Sequence, residues 1–141
     1  IYAISQSTKP FDRVNDSNPG GVNAGGIAGV SWNGKIKDCV NNAAVLAENK
    51  STSDKAAAHA GGIIGFVSND AIFEASGSTN NGSVTAKTQS SVKENCYAAG
   101  VIAVNTIGTV SACENKGSVS ALYGEEYAQQ GYAADQIAYQ K

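Results

Sequence analysis

Large apolar side chains are scarce in this chain, which has no methionine, one tryptophan and three phenylalanines among its 141 residues. A globular core of Leu, Met and aromatic side chains is therefore not expected. The apolar content is mostly Ala and Val, which favours a narrow, layered core of small and β-branched residues. Sixteen glycines and only two prolines indicate many turns within a regular framework rather than a Pro-rich disordered segment.

Charge is also scarce: charged residues make up 16% of the chain, the net charge is −2, and Arg13 is the single arginine. Nucleic acid is not an expected partner, because no basic stripe could follow a phosphate backbone. No apolar run approaches the roughly 20 residues of a membrane span. The three cysteines, Cys39, Cys96 and Cys113, form no CxxC pair. They are expected to be small core residues, and neither a metal nor a cofactor is predicted.

The sequence repeats itself. Ala24–Ala47 returns without a gap as Ala98–Ala121, a middle copy occupies Ala60–Ala86, and a fourth copy begins at Ala133. The period is close to half of the 74 residues between the first and third copies, in the range of repeat architectures. The residues that recur unchanged between those two copies are Ala24, Gly26, Val30, Gly34, Cys39, Asn41, Val45 and Ala47.

Each copy reads as three short strands with alternating apolar residues, separated by Gly- and Asn-containing turns. The predicted fold is an all-β, right-handed parallel β-helix (a β-solenoid) of about three to four coils, with a β-trefoil as the alternative. Polar linkers should protrude on one side, because they recur at the same place in each copy. The linkers are Glu48–Lys55, Lys87–Glu94 and Tyr123–Gln130.

We predict a single domain over residues 1–141. Residues 1–23 would form an N-terminal cap or edge. Within them, the stretch from Ile1 to Asn18, which contains Phe11, would cover the first end of the solenoid. Residues 24–59, 60–97 and 98–132 would be repeats with their linkers. Residues 133–141 would be a partial repeat or a C-terminal cap.

Stacked coils place equivalent residues above one another at about 4.8 Å, so that they form ladders. Stacked asparagines can bridge from coil to coil through their amides. The middle copy is three residues longer, and we place the extra residues at Ser76–Ser78. The predicted ladders are Ile27/Ile63/Val101, Ile36/Ile72/Val110, Val45/Val84/Val119, Cys39/Ala75/Cys113 and Asn41/Asn80/Asn115.

The stretches GGIAG with IKDCVNN, GGIIG, and AGVIA with VSACENKGSVSA resemble the GLUG-motif repeats of bacterial cell-surface proteins. Ala75 in place of Cys and the single Gly100 depart from the pattern. The resemblance implies surface display, a role in adhesion or as a spacer, and no catalytic residues.

Residues with catalytic chemistry are few. His59 is the only histidine, has no Ser or Cys motif beside it, and is expected at the surface or a corner. Asp38 and Glu74 are candidates for neighbouring carboxylates on adjacent coils, as a polysaccharide-cleaving enzyme would need, but Ala112 ends the row. We expect no enzymatic activity, and a polysaccharide-active enzyme is the least favoured alternative.

Aromatic residues lie outside the predicted apolar ladders. Exposed rings can stack on sugars or anchor a protein contact, so surface glycans or proteins are the candidate partners. The competing interpretation is that the C-terminal tyrosines and EEYAQQ cover an open end of the solenoid. A self-assembling subunit, extended through the solenoid ends, is the second functional class. The candidate contact residues are Trp32, Tyr97, Tyr123, Tyr127 and Tyr132.

Overall fold

The computed structural model describes residues 1–5, 21–68 and 72–141, and of residues 2–5 the backbone only. Three complete coils contain five strands each, rather than the three that we predicted. Strand β1 is Tyr2–Ser5. Coil one comprises β2 (Val22–Gly25), β3 (Ala28–Ser31), β4 (Gly34–Lys37), β5 (Val40–Asn41) and β6 (Val45–Asn49). Coil two comprises β7 (Ala58–Gly61), β8 (Ile64–Val67), β9 (Phe73–Ser76), β10 (Thr79–Asn80) and β11 (Val84–Thr88).

Coil three comprises β12 (Cys96–Ala99), β13 (Ile102–Asn105), β14 (Thr109–Ser111), β15 (Glu114–Asn115) and β16 (Val119–Tyr123). Strand β17 is Gln129–Gln130. Coil four contains two strands, β18 (Tyr132–Ala134) and β19 (Ile137–Gln140). Short 3-10 turns lie at Lys93–Asn95 and Glu125–Tyr127.

Equivalent strands of successive coils pair in parallel and form five sheets. Sheet A is β1-β6-β11-β16-β17, sheet B is β18-β12-β7-β2, sheet C is β19-β13-β8-β3, sheet D is β14-β9-β4, and sheet E is β15-β10-β5. The chain is therefore a β-solenoid, as predicted. The β-trefoil alternative is wrong, because its sheets would not be built from equivalent strands stacked in parallel.

Two separate apolar clusters fill the solenoid. Sheets A and B enclose a cluster of Ala, Val and Cys96, which includes the predicted ladder of Val45 and Val84 with the partly buried Val119. Sheets C and D enclose bulkier residues, among them Ile64, Ile102 and Phe73. Alanine brings two sheets close together and isoleucine holds them further apart, so a composition poor in large side chains supports two thin layers.

Two predicted ladders are out of register in the middle copy. Ala28 pairs with Ile64, 36 residues on, whereas Gly34 pairs with Phe73, 39 residues on. The three extra residues of the middle copy therefore lie between Val67 and Phe73, not at Ser76–Ser78. The extra length is taken up in a connection, where no strand pairing is interrupted.

Two of the predicted ladders change as a result. Ala75 lies between Ile36 and Val110, in the place predicted for Ile72, whose side chain is 86% exposed. Ser78 lies between Cys39 and Cys113, in the place predicted for Ala75. The Cys39 N–H donates to Ser78 Oγ at 3.2 Å, and the Glu114 N–H donates to the Ser78 carbonyl at 2.9 Å.

The Ile27/Ile63/Val101 ladder is confirmed at the bend between sheets B and C. The Ile27 and Ile63 N–H groups each donate to the carbonyl of the next member at 3.0 Å. Ile63 and Val101 are fully buried, whereas Ile27, in the first coil, is 43% exposed.

The asparagine ladder is also confirmed. Asn41 Nδ2 donates to Asn80 Oδ1, and Asn80 Nδ2 donates to Asn115 Oδ1, both at 2.8 Å. The Asn80 amide also donates to the Gly82 carbonyl at 2.8 Å, so both of its N–H bonds and its oxygen have partners. The Asn80 amide is thus satisfied by its own coil together with the coils on both sides.

The linkers lie at the same place in each coil, between sheets A and B, and are packed rather than free. Polar side chains of the linkers form hydrogen bonds to backbone carbonyl groups of neighbouring linker residues. Asn49 Nδ2 donates to the Ala57 carbonyl at 3.0 Å, and Thr88 Oγ1 donates to the Ala56 carbonyl at 2.5 Å. Asn95 Nδ2 donates to the Asp54 carbonyl at 2.5 Å. All three side chains are buried.

Both ends of sheet A carry an extra strand. At one end β1 pairs with β6 in parallel, and at the other β17 pairs antiparallel with the end of β16. Of the EEYAQQ segment that we predicted to cover an open end of the solenoid, Gln129 and Gln130 cover part of this edge. Residues 6–20 of the predicted N-terminal cap, which include Phe11 and Asn18, lie outside the described residues, whereas Val22 and Asn23 already belong to β2.

We predict that Asn80→Ala lowers the free energy of unfolding by about 3 kcal/mol, because the substitution leaves buried groups of both neighbouring coils without a partner. Asn81 is the control: it is exposed, and its amide bonds Asn42 Oδ1 at 2.8 Å. Asn81→Ala should change the free energy by less than about 0.5 kcal/mol. Urea titrations measure both; equal effects would contradict the ladder.

Candidate functional site

Tyr97 and Tyr132, two of the predicted contact residues, lie together on successive coils of sheet B. Their rings stack with centroids 5.1 Å apart and planes 14° apart. Tyr139, from sheet C, meets Tyr97 edge-on at 5.6 Å. The Lys93 ammonium lies 4.6 Å from the Tyr132 ring centroid. The Tyr97 ring thus contacts other aromatic rings of the same protein. These contacts join neighbouring coils and leave less of the ring for a ligand.

His59 belongs to the same aromatic cluster and is 1% exposed, so the prediction of a surface or corner position is wrong. In sheet B, His59 of coil two pairs with Tyr97 of coil three. The centroid of the imidazole ring lies 5.9 Å from that of Tyr97 and 5.6 Å from that of Phe66. Nδ1 lies 2.7 Å from Asn23 Oδ1 on the preceding coil. The neighbouring rungs cover the imidazole, which accounts for its burial.

Tyr127 lies elsewhere, across the outer face of sheet A. Its hydroxyl donates to Glu48 Oε1 at 2.7 Å, and the Lys87 ammonium lies 5.6 Å from its ring centroid. Burial, followed by the hydrogen bond to Glu48, raises the pKa of Tyr127 to about 12. Since Glu48 and Lys87 belong to adjacent coils, Tyr127 ties the turn after β16 back to the stack.

The other two predicted contact residues are separate from these. Tyr123 packs, partly buried, against the cluster between sheets A and B. Trp32 is 49% exposed and follows β3 at the corner between sheets C and D. Of the five predicted residues, Trp32 therefore presents the freest surface.

Trp32 lies in the connection between sheets C and D of coil one, and the same connections of coils two and three carry the exposed residues Ile72 and Ile107. Trp32 precedes Asn33, whose Oδ1 accepts a hydrogen bond from the Ile72 N–H at 2.9 Å. Ile72 and Ile107 both line a shallow depression of about 350 Å³ on the outside of sheet D, together with Lys35 and Glu74. Ile107 is 49% exposed. We call Trp32, Ile72 and Ile107 the corner patch.

The two candidate catalytic carboxylates are not neighbours. Glu74 pairs with Lys35 in register, and Lys35 Nζ lies 3.1 Å from Glu74 Oε2. Asp38 follows Lys37, which pairs with Ser76, so Asp38 lies opposite Gly77. Asp38, Gly77 and Ala112 share a left-handed turn, with φ of 53°, 60° and 51°. Asp tolerates this conformation, which gives Asp38 a structural reason for its position.

The cysteines are all free thiols. Cys39 and Cys113 are separated by the coil that contributes Ser78. Cys96 is buried between sheets A and B, and its Sγ donates to the Leu122 carbonyl at 3.2 Å. Burial raises the pKa of the Cys96 thiol to about 12.

No cluster of three or more His, Cys, Asp or Glu side chains that could hold a metal ion occurs in the described parts of the chain. Within those same ranges, no helix has the length and apolar character to cross a bilayer. The search of protein-family models gives no match to this chain, and the searches of curated proteins and of solved structures give none either. The GLUG resemblance therefore remains a prediction from the residues.

The raised pKa of Cys96 predicts its reactivity. At pH 8 its thiol stays protonated and buried, so it should react with a disulfide reagent such as DTNB only when the chain unfolds. Cys39, which is partly exposed, should react first in the folded protein. Mass spectrometry after timed labelling measures each site, with labelling in denaturant as the control. Rapid labelling of Cys96 in the folded protein would contradict its placement.

Proposed function

We propose that the chain is a non-catalytic module of the bacterial cell surface, extracellular, which acts in adhesion or as a spacer. The observation that carries the proposal is that the recurring residues are used in stacking coil on coil. The asparagine amides, the valines and the paired backbone of five sheets all join neighbouring coils. A unit of this kind supports length and stiffness, which are the properties of a spacer.

Adhesion is supported by what the stacking leaves exposed. The corner patch places Trp32, Ile72 and Ile107 at the surface, and the two isoleucines line the same depression as the Lys35–Glu74 ion pair. An exposed indole next to polar groups can stack on a sugar ring or anchor a protein contact. Surface glycans or proteins are therefore the partners that we propose for this patch.

The other two functional classes have less support. A filament subunit needs an end that accepts another coil, whereas in the described residues both ends of sheet A already carry an extra strand, β1 and β17. A polysaccharide-cleaving enzyme needs two carboxylates that face one substrate, whereas Glu74 is paired with Lys35 and Asp38 lies at a left-handed turn.

A glycan array, complemented by immobilised surface proteins, tests the adhesion role. Wild-type protein should bind at least one ligand, and the double variant Trp32→Ala/Ile72→Ser should bind at least ten-fold more weakly, at roughly 1.4 kcal/mol per decade. Val40→Ser is the matched control, because Val40 is 55% exposed on sheet E, outside the patch. All variants should keep the wild-type melting temperature, since the replaced side chains are exposed.

Two results would count against the proposal. Equal loss of binding in the Val40→Ser variant would show that the corner patch is not the specific binding surface. New reducing ends released from a panel of polysaccharides would contradict a non-catalytic module and favour the enzyme.

A further inference from the structure

The outer face of sheet D carries side chains in rows that run along the solenoid axis. The strand pairing places Ile72 of coil two between Asn33 of coil one and Ile107 of coil three. The Ile72 N–H donates to Asn33 Oδ1 at 2.9 Å, and the Ile72 carbonyl accepts from the Gly34 N–H at 3.0 Å. Since Ile72 and Ile107 are both exposed, this first row faces solvent.

A second row, which is polar, lies beside the first. It consists of Lys35, Glu74 and Thr109, each two residues after its counterpart in the first row and therefore on the same side of its strand. The Lys35 ammonium and the Glu74 carboxylate are 3.1 Å apart, so their charges compensate each other. Residues of both rows line the depression of about 350 Å³. Coils two and three thus each present an apolar side chain beside a polar one.

The distance between coils determines which chain molecules can follow these rows. Equivalent residues of neighbouring coils are about 4.8 Å apart. The side chains on one face of an extended peptide recur at about 6.6 Å, which does not match this interval. In an extended, equatorially linked polysaccharide, by contrast, successive sugars are separated by nearly the distance between coils. Each sugar also offers C–H groups on its ring faces and hydroxyl groups at its edges, which suits an apolar row beside a polar one.

The charges of the second row favour an uncharged chain. Glu74 would repel an acidic sugar, and Lys35 would repel a cationic one. Because the two side chains are paired with each other, they can bind neutral hydroxyl groups without leaving a charge uncompensated: the ammonium donates hydrogen bonds and the carboxylate accepts them. The hydroxyl group of Thr109 can do both.

We infer that the ligand of the corner patch is a linear, uncharged polysaccharide that lies along the solenoid axis with one sugar at each coil. The inference rests on the proposed adhesion role and adds the class of glycan and its direction. Trp32, Ile72 and Ile107 contact the sugars at coils one, two and three, respectively. Lys35 and Glu74 bind the hydroxyl groups of the sugars beside them.

Short oligosaccharides test the inference. The probes are β-1,4-linked gluco-, manno- and N-acetylchito-oligosaccharides of one to three sugars, titrated by calorimetry. At least one series should bind, and its affinity should rise about five-fold with each added sugar, because each sugar reaches the next coil. The variant Ile107→Ser should lose the gain from the third sugar and keep the wild-type affinity for the disaccharide. Val40→Ser, exposed on sheet E, is the control and should bind as wild type does.

The direction of the ligand is measured separately, on the wild-type protein. Adding the trisaccharide should shift the backbone amide NMR signals at the start of β4, β9 and β14, one strand in each coil. Shifts that instead extend along β9 from Phe73 to Ser76 would show that the ligand follows a strand, which would overturn the inference. This measurement needs no variant, so it holds even if circular dichroism shows that Ile107→Ser is unfolded.

Two further results would overturn the inference. Equal losses of disaccharide and trisaccharide affinity in Ile107→Ser would contradict one sugar at each coil. If none of the three series binds, while a charged glycan or an immobilised protein binds in a way that needs Trp32 and Ile72, the adhesion role stands and the uncharged polysaccharide is wrong. If nothing binds in either experiment, both the adhesion role and this inference are wrong.

Discussion

The hydrogen bonds between the side chains of Asn41, Asn80 and Asn115 are the constraint on which the rest of the structure depends. A buried amide without partners would cost more than a packed apolar residue gains, so each asparagine must face the next at one rung of the stack. That requirement fixes the register of sheet E, which contains Asn80, and so limits the register of the strands on either side of it. It also requires glycine at position 62, because the Asn80 amide fills the space of a Cβ there.

Register in the apolar layers follows from this constraint together with small side chains. Parallel strands buried on one side tolerate no slip of one residue, because a slip would turn every core side chain outward. The three extra residues of the middle copy lie in the connection before β9. Strand pairing then resumes, and Ala75 pairs with Ile36 on one side and with Val110 on the other. The solenoid therefore tolerates length changes in its connections and not in its strands.

The sequence was sufficient for the parts of the fold in which copies align without a gap. The Val45/Val84/Val119 and Asn41/Asn80/Asn115 ladders were predictable because, in every copy, the asparagine is followed by the valine four residues later. The exposure of Ile72 was not, since a gap placed near Ser76 satisfied the repeat as well as a gap before Phe73. Only pairing geometry distinguishes the two placements.

Contacts between residues far apart in sequence were the least predictable part of the candidate site. Nothing local indicates that Tyr127 reaches Glu48, 79 residues away. The burial of His59 had a signal that alignment could have supplied, because Asn23, Tyr97 and Tyr132 occupy the same rung position. No sequence signal indicated the corner patch, because the exposure of an apolar side chain depends on which neighbouring coil covers it.

The functional account follows from how these residues are divided. Side chains that recur hold coil to coil, whereas the exposed residues of the corner patch do not recur in every copy and form the surface that we propose for a partner. In the proposed function, stability and recognition are therefore carried by different residues.

The central claim is that the asparagine side chains are bonded from coil to coil, and exchange of their carboxamide protons with solvent tests it most directly. In the folded protein, NMR should show the Asn80 side-chain N–H protons exchanging much more slowly than those of the exposed Asn81, because both Asn80 protons are buried in hydrogen bonds. Equal exchange rates at Asn80 and Asn81 would contradict the ladder and the register that it fixes.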